Sequence, residues 1–407
     1  MALAKLEPAP TSNQVRTDAQ RTAPSVAQRF YRPELDALRF GAFACVFLTH
    51  AVPSVRLSGN PLEQRSVAVW MQLVSEAGNF GVCLFFVLSA YLITEIMRRE
   101  SISYRTLSIG HFYVRRVLRI WPLYLGVVVT VALIGIAVPA LHMSKTQLLA
   151  YLLFAGNWYL ALAPNGTNVL SWLWSISVEE QFYIAWPLLE RLGGMRAILW
   201  ASLGCMPVAG AAIALSTRFG ERLYATVWLN SLVQFEYFAL GALIAIALAG
   251  STPRFRGKTR IALLAIGVCL WCSASVFCLI KDPRSNPTLM MMCTGYFLVG
   301  LGCICLLLGT LGIASRHVPR SLVYLGRISY GLYVFHELAL EATTAIRWKL
   351  LAGQQHDHGM TGSLLYLADR VCALALTIGC AALSYKYFER PFLRINQRFA
   401  LVQTRPV

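Results

Sequence analysis

Phe80-Gly-Val-Cys-Leu-Phe-Phe-Val-Leu-Ser-Ala-Tyr-Leu-Ile-Thr-Glu-Ile-Met97 is a run of eighteen residues with a single charge, Glu95. A helix of that length measures about 27 Å, close to the thickness of a bilayer's hydrocarbon core. Further apolar stretches of spanning length lie near residues 38–55, 120–140, 175–190, 197–215, 231–250, 261–280, 291–312, 326–345 and 364–386. The chain therefore reads as an all-α, polytopic membrane helical bundle with about ten transmembrane helices. Composition agrees: 57% of the 407 residues are hydrophobic and 14% are charged, against about 25% charged in a soluble domain. A water-soluble protein is excluded.

The formal net charge of +17 would suggest a nucleic-acid or acidic partner in a soluble protein, but here it reports orientation across a membrane. No nucleic acid is expected. With ten spans and both termini cytoplasmic, the basic residues divide 26 inside to 10 outside. An eleventh candidate, Gln147 to Ala163, is interrupted by Gly156, Asn157 and Trp158. Counting it as a span moves the division to 19 and 17 and erases the bias. Residues 141–174 are accordingly expected to form an outer or re-entrant segment, which in turn hints at a cavity, because non-helical backbone at membrane depth must be satisfied by protein or water.

Residues 1–30 are polar, with no apolar core of a secretory signal, and are expected to be a disordered cytoplasmic tail. The membrane domain is assigned to 31–395, and 396–407 to a short basic cytoplasmic tail. No repeat of 20 to 50 residues recurs. The eleven cysteines sit in apolar stretches and read as small hydrophobes; Cys269-Leu-Trp-Cys272 has no second pair. No metal and no bound cofactor are expected.

Charges inside spans are costly and mark candidate sites. They are Arg39, His50, Glu95, Glu179, Glu180, Glu236, His336, Glu337 and Glu341. Arg39 and His50 stand eleven residues apart, about three turns and 16 Å along one helix face. A cation near the membrane edge and an imidazole deeper in can hold the two ends of one long ligand; the ordinary alternative is an anchor and a packing residue. In Phe112-Tyr-Val-Arg-Arg-Val-Leu-Arg-Ile-Trp-Pro122, Arg115, Arg116 and Arg119 can share a face. Guanidinium pairs suit a nucleotide-type diphosphate, or else lipid headgroups. Of the adjacent Glu179 and Glu180, one can orient His50, or either can pair with an arginine. His336, in Ile328-Ser-Tyr-Gly-Leu-Tyr-Val-Phe-His336, reads more readily as structural than catalytic.

Together these segments resemble the acyltransferase 3 family of multi-pass membrane O-acyltransferases, of the O-antigen and exopolysaccharide acetylase kind. The resemblance rests on Tyr31-Arg-Pro-Glu-Leu-Asp-Ala-Leu-Arg39 followed by His50, on Gly81 to Ile93, on Arg115-Arg-Val-Leu-Arg-Ile120, on Trp174 to Tyr183, on Ser329 to His336 and on Glu389-Arg-Pro391. It implies that His50 is the catalytic residue and that Arg39, Arg116 and Arg119 bind the acyl-CoA donor. Glu179, Glu180, Ser89, Tyr330 and His336, inside the matching segments, are expected to support the site. Two departures stand out. Ala37 and Ala90 occupy positions where the family usually has Gly, and the chain carries no C-terminal hydrolase-like extension, so a one-component mechanism or a separate partner is expected.

The resemblance further implies transfer of an acyl group, most simply acetyl, from acyl-CoA (acetyl-CoA as the expected co-substrate) to a hydroxyl of a glycan, glycolipid or small hydroxylated acceptor, with the lipid bilayer as surroundings and the inner cell membrane as location. General-base and covalent roles for His50 both remain open. A multi-pass transporter or flippase is the competing class, although no inverted halves are visible in the sequence.

Overall fold

The computed structural model of the chain describes residues 30–51, 75–163, 168–219, 223–278, 280, 287–350 and 360–402. Apart from Phe30, the expected N-terminal tail lies outside the described residues. All regular elements described are helical: α1 (Pro33–Ala51), α2 (Gly81–Tyr104), α3 (Ile109–Ala137), α4 (Lys145–Leu152), α5 (Gly156–Leu162), α6 (Trp174–Phe219), α7 (Leu223–Trp228), α8 (Ser231–Leu248), α9 (Gly257–Cys278), α10 (Leu289–Thr310), α11 (Arg320–Arg327), α12 (Ser329–Leu350), α13 (Met360–Leu383) and α14 (Arg390–Gln397). The chain is a polytopic helical bundle, as the hydropathy pattern requires.

Seven helical segments among the described residues are long and apolar enough to cross a membrane. One of them contains α6, whose 46 residues would extend about 69 Å as one straight helix, more than twice the hydrocarbon thickness. Its helix breaks at Gly193 and Gly194, where Gly194 takes φ +61°, a conformation that favours glycine. The two expected spans at 175–190 and 197–215 lie on either side of that break. Over their described residues the other eight expected spans also fall on helices, with 52–55 of the first lying outside the described residues. Two of these, α1 and α12, are absent from the apolar set: α1 carries Glu34, Asp36, Arg39 and His50, and α12 carries His336, Glu337 and Glu341.

The segment at 141–174 does not form a span. It folds into the short helices α4 and α5, with Phe154 at φ +53° between them. The interrupted backbone is satisfied from neighbouring helices: Gln181 donates to the Phe154 carbonyl at 2.9 Å and Tyr124 to the Tyr151 carbonyl at 2.9 Å. The buried Asn157 donates to the Leu229 carbonyl and to Ser231. Such a break is tolerated at membrane depth where protein groups meet the freed polar atoms.

Close helix contacts set the position of the site. A Cβ on Gly241 of α8 would stand 2.1 Å from the Val87 carbonyl of α2, and one on Gly326 of α11 would stand 1.7 Å from the Asp36 carbonyl of α1. Small residues let backbones touch where lipid supplies no hydrophobic drive between helices. Phe86 of α2, Phe238 of α8 and Phe182 and Trp186 of α6 then stack at 4.2 to 4.5 Å. Helix α2 runs antiparallel to α1: Gly78, just before it, packs on Cys45, and Arg99 near its end lies 4.4 Å from the centre of the Phe30 ring.

At the C-terminal end, the last described residues pack on the bundle. Asn396 donates to the Arg115 carbonyl at 2.5 Å, and the buried Arg115 guanidinium joins Glu100 at 2.7 Å and the Phe399 carbonyl at 2.9 Å.

Candidate active site

A cavity of about 180 Å³ lies between α1, α2, α3, α6 and α12, with Phe30 and Val402 also in its lining. Along α2 its wall extends from Ile96 back to Val82, fourteen residues and about 21 Å of helix. Five arginines line it: Arg32 just before α1, Arg39 from α1, and Arg115, Arg116 and Arg119 from α3. The sequence-derived donor set therefore converges in one place.

Helical spacing explains the convergence on α3, since residues three apart share a face. Partners for Arg39 and Arg116 are few. Arg39 lies 3.5 Å from Asp36. The Arg116 guanidinium sits 5.4 Å from the Phe112 ring centre and 5.2 Å from that of Tyr183, and its Nε is buried without a hydrogen-bond partner. Buried guanidinium donors that protein groups leave unmatched form a receptive surface for an anion.

Glu179 belongs to this cavity and is not among the partners of His50. Its Oε1 accepts from Ser89 at 2.5 Å and also from Tyr183. Glu180 accepts from Trp121 Nε1 at 2.9 Å, and its other oxygen is buried and unpaired. Tyr330 lines the cavity and donates to the Ile120 carbonyl at 2.8 Å. Ser89, Glu179 and Tyr330 thus shape the arginine cavity, Glu180 packs behind it against Trp121, and neither glutamate is paired with the imidazole.

The partner of His50 comes from α12 instead. His50 Nδ1 stands 2.8 Å from Glu337 Oε1 and 2.9 Å from His336 Nε2, and the two imidazole rings stack at 5.1 Å. His336 is fully buried, and its Nδ1 lies 2.7 Å from the Tyr333 carbonyl. A carbonyl only accepts, so His336 carries its proton on Nδ1 and offers a lone pair at Nε2. Glu337, as a carboxylate, also accepts. The Nδ1–H of His50 is therefore shared between two acceptors, and the Nε2 of His50 is left with its lone pair. Phe43, Trp172 and Tyr333 box His336 at 5.4 to 6.1 Å. The side chains of His50 and Glu337 are 27% and 22% exposed, so the pair reaches the surface while its support is dry.

Glu337 was visible in the sequence as a carboxylate inside a span, next to His336, but nothing in helical periodicity says that α12 packs on α1. His50, His336 and Glu337 also offer three ligand atoms within 4.8 Å of one another. The tautomers just derived satisfy the group by hydrogen bonds alone.

Comparison with known proteins places these observations in context. An acyltransferase domain family, acyltransferase 3, matches residues 32–386. Among similar curated proteins is the "Putative O-acetyltransferase" of Staphylococcus aureus (strain COL), 24% identical over 348 residues, covering 77% of this chain and 52% of that protein. The "Putative peptidoglycan O-acetyltransferase" YrhL of Bacillus subtilis (strain 168) is 26% identical over 339 residues, covering 78% of this chain and 51% of that protein. "Nodulation protein 10" of Rhizobium leguminosarum bv. viciae is 26% identical over 404 residues, covering 92% of this chain and 96% of that protein. The chain thus spans about half the length of the first two. No solved structure is significantly similar to the chain.

Proposed function

The chain belongs to the acyltransferase 3 family, and on that premise we propose that it is a multi-pass O-acyltransferase of the inner cell membrane. It takes an acyl group, acetyl in the first instance, from acyl-CoA on the cytoplasmic side and places it on a hydroxyl of a sugar, glycoconjugate or small hydroxylated metabolite. The printed name of the Bacillus subtilis relative, a peptidoglycan O-acetyltransferase, points towards a glycan hydroxyl.

One observation carries the chemistry: His50 Nδ1–H is held by Glu337 at 2.8 Å and by His336 at 2.9 Å, which leaves Nε2 free to accept a proton. A carboxylate that fixes the tautomer of an imidazole is the arrangement a general base needs. His50 Nε2 takes the proton of the acceptor hydroxyl as its oxygen attacks the thioester carbonyl. A C–O bond forms, the C–S bond breaks, and the proton passes to the leaving sulfur as CoA thiol. Glu337 stabilises the transient imidazolium. Arg39, Arg116 and Arg119 hold the donor's phosphates at the arginine end, and the 21 Å cavity along α2 accommodates the arm that leads to the thioester.

Purified protein in detergent, given labelled acetyl-CoA, is expected to release CoA and acetate slowly without acceptor and to acetylate a hydroxylated sugar when one is supplied. Protein that leaves acetyl-CoA intact under both conditions would overturn the reading.

A further inference from the structure

The lining of the cavity includes neither His50 nor His336 nor Glu337. On α12 the last residue that lines the cavity is Tyr333, and His336 and Glu337 follow one turn later, about 5 Å further along the axis. Facing Tyr333 across the cavity is Phe85 of α2, also in its lining, with ring centres 6.2 Å apart in an edge-to-face contact. Tyr333 is buried and doubly fixed: its hydroxyl donates to the Trp172 carbonyl at 2.8 Å, which makes Ser175 Oγ, 2.6 Å away, the donor to it. Its ring lies 5.4 Å from that of His336. A side chain held by two hydrogen bonds and two ring contacts does not move aside cheaply.

We propose that Tyr333 and Phe85 form a partition between the donor cavity and His50 that admits only a short acyl group, of about two to three carbons, and so sets the acyl-chain specificity. This deepens the donor reading given above and rests on it. A thioester delivered from the arginine end meets the partition last, just before the imidazole. An acetyl group needs only a small displacement of two ring edges. Each added methylene needs room that close packing does not provide, whereas a cavity left by truncation supplies it. Tyr333 is thus a specificity-determining residue, distinct from the base and its carboxylate.

The test compares kcat/KM for acetyl-, butyryl- and octanoyl-CoA in wild type, Tyr333→Ala, Tyr333→Phe and Phe85→Ala. The expected result is a strong acetyl preference in wild type and a tenfold or larger shift of the butyryl-to-acetyl ratio in both alanine variants. Tyr333→Phe keeps the ring and should keep the preference. A general packing defect lowers all three donors together and leaves the ratio unmoved. Phe85→Ala approaches the partition from a different helix, so the question stays open to measurement if Tyr333→Ala fails to fold. Ratios unchanged from wild type in the folded alanine variants would overturn the partition while leaving the donor reading intact. A wild type that consumes none of the three thioesters would sink the donor reading itself, and the partition with it.

Discussion

The two ends of the site are built on opposite principles. At the arginine end, cations from α1 and α3 face a cavity with few protein partners, and Arg116 Nε has none. At the histidine end, His50 Nδ1, His336 and Glu337 are tied to one another and to the Tyr333 carbonyl, and His50 Nε2 alone keeps a free lone pair. Unmatched donors suit a place that a ligand must fill. A closed network suits a group that must keep one orientation through a reaction. The contrast implies that substitutions at one end should act on binding and those at the other on rate.

The largest effect is expected from His50→Ala, which should lower transfer by about 10² to 10⁴ while acyl-CoA binding, measured by calorimetry, stays near wild type. A variant that loses binding in step with rate would erase the distinction between the ends. Next comes Glu337→Gln, which keeps the shape but removes the charge that stabilises the imidazolium. A fall in kcat of about 10²-fold or more with little change in KM is expected, because the imidazolium that forms on His50 then has no negative charge beside it.

Smaller losses are expected at the other end. Arg116→Lys and Arg119→Lys keep the charge and lose the planar fork. Losing one charge-assisted hydrogen bond costs about 1.5 to 3 kcal/mol, a roughly tenfold to hundredfold rise in Kd for acyl-CoA. Unchanged Kd in both variants would reassign these arginines to lipid. The smallest effect on turnover is expected from His336→Asn, about tenfold or less, since Glu337 still holds the His50 proton. If it rivalled His50→Ala, the two histidines would have to exchange roles.

The membrane frame can be tested separately. Accessibility tags at Ser144 and Ser251 should report opposite sides, since three spans precede the first and six the second. The same side for both would mean that α4 and α5 together cross the membrane.

Much of this architecture is legible in residues 31–391. A bilayer of fixed thickness converts apolar length directly into helices, which is why each expected span coincides with one. The same applies to the break in α6: no membrane accommodates 46 residues as one straight crossing, and Gly193-Gly194 supplies the turn. The grouping of Arg39, Arg116 and Arg119 also follows from local spacing together with the family resemblance.

The identity of the carboxylate beside His50 does not follow from spacing. Read from the sequence, that role falls to Glu179 or Glu180 and not to Glu337, because the pairing joins helices whose contacting histidines are 286 residues apart. Periodicity fixes which residues share a helix face, but which face meets which depends on packing. Here Gly326 of α11 must clear the Asp36 carbonyl and Gly241 the Val87 carbonyl. Once those backbones touch, α12 is brought against α1, and Glu337, in place of Glu179, reaches the imidazole. Length, charge bias and motif thus come from the sequence itself, because bilayer thickness and helical pitch act locally. The partner of His50 and the wall made by Phe85 and Tyr333 exist only in the folded bundle, because contacts between distant helices depend on how all of them pack.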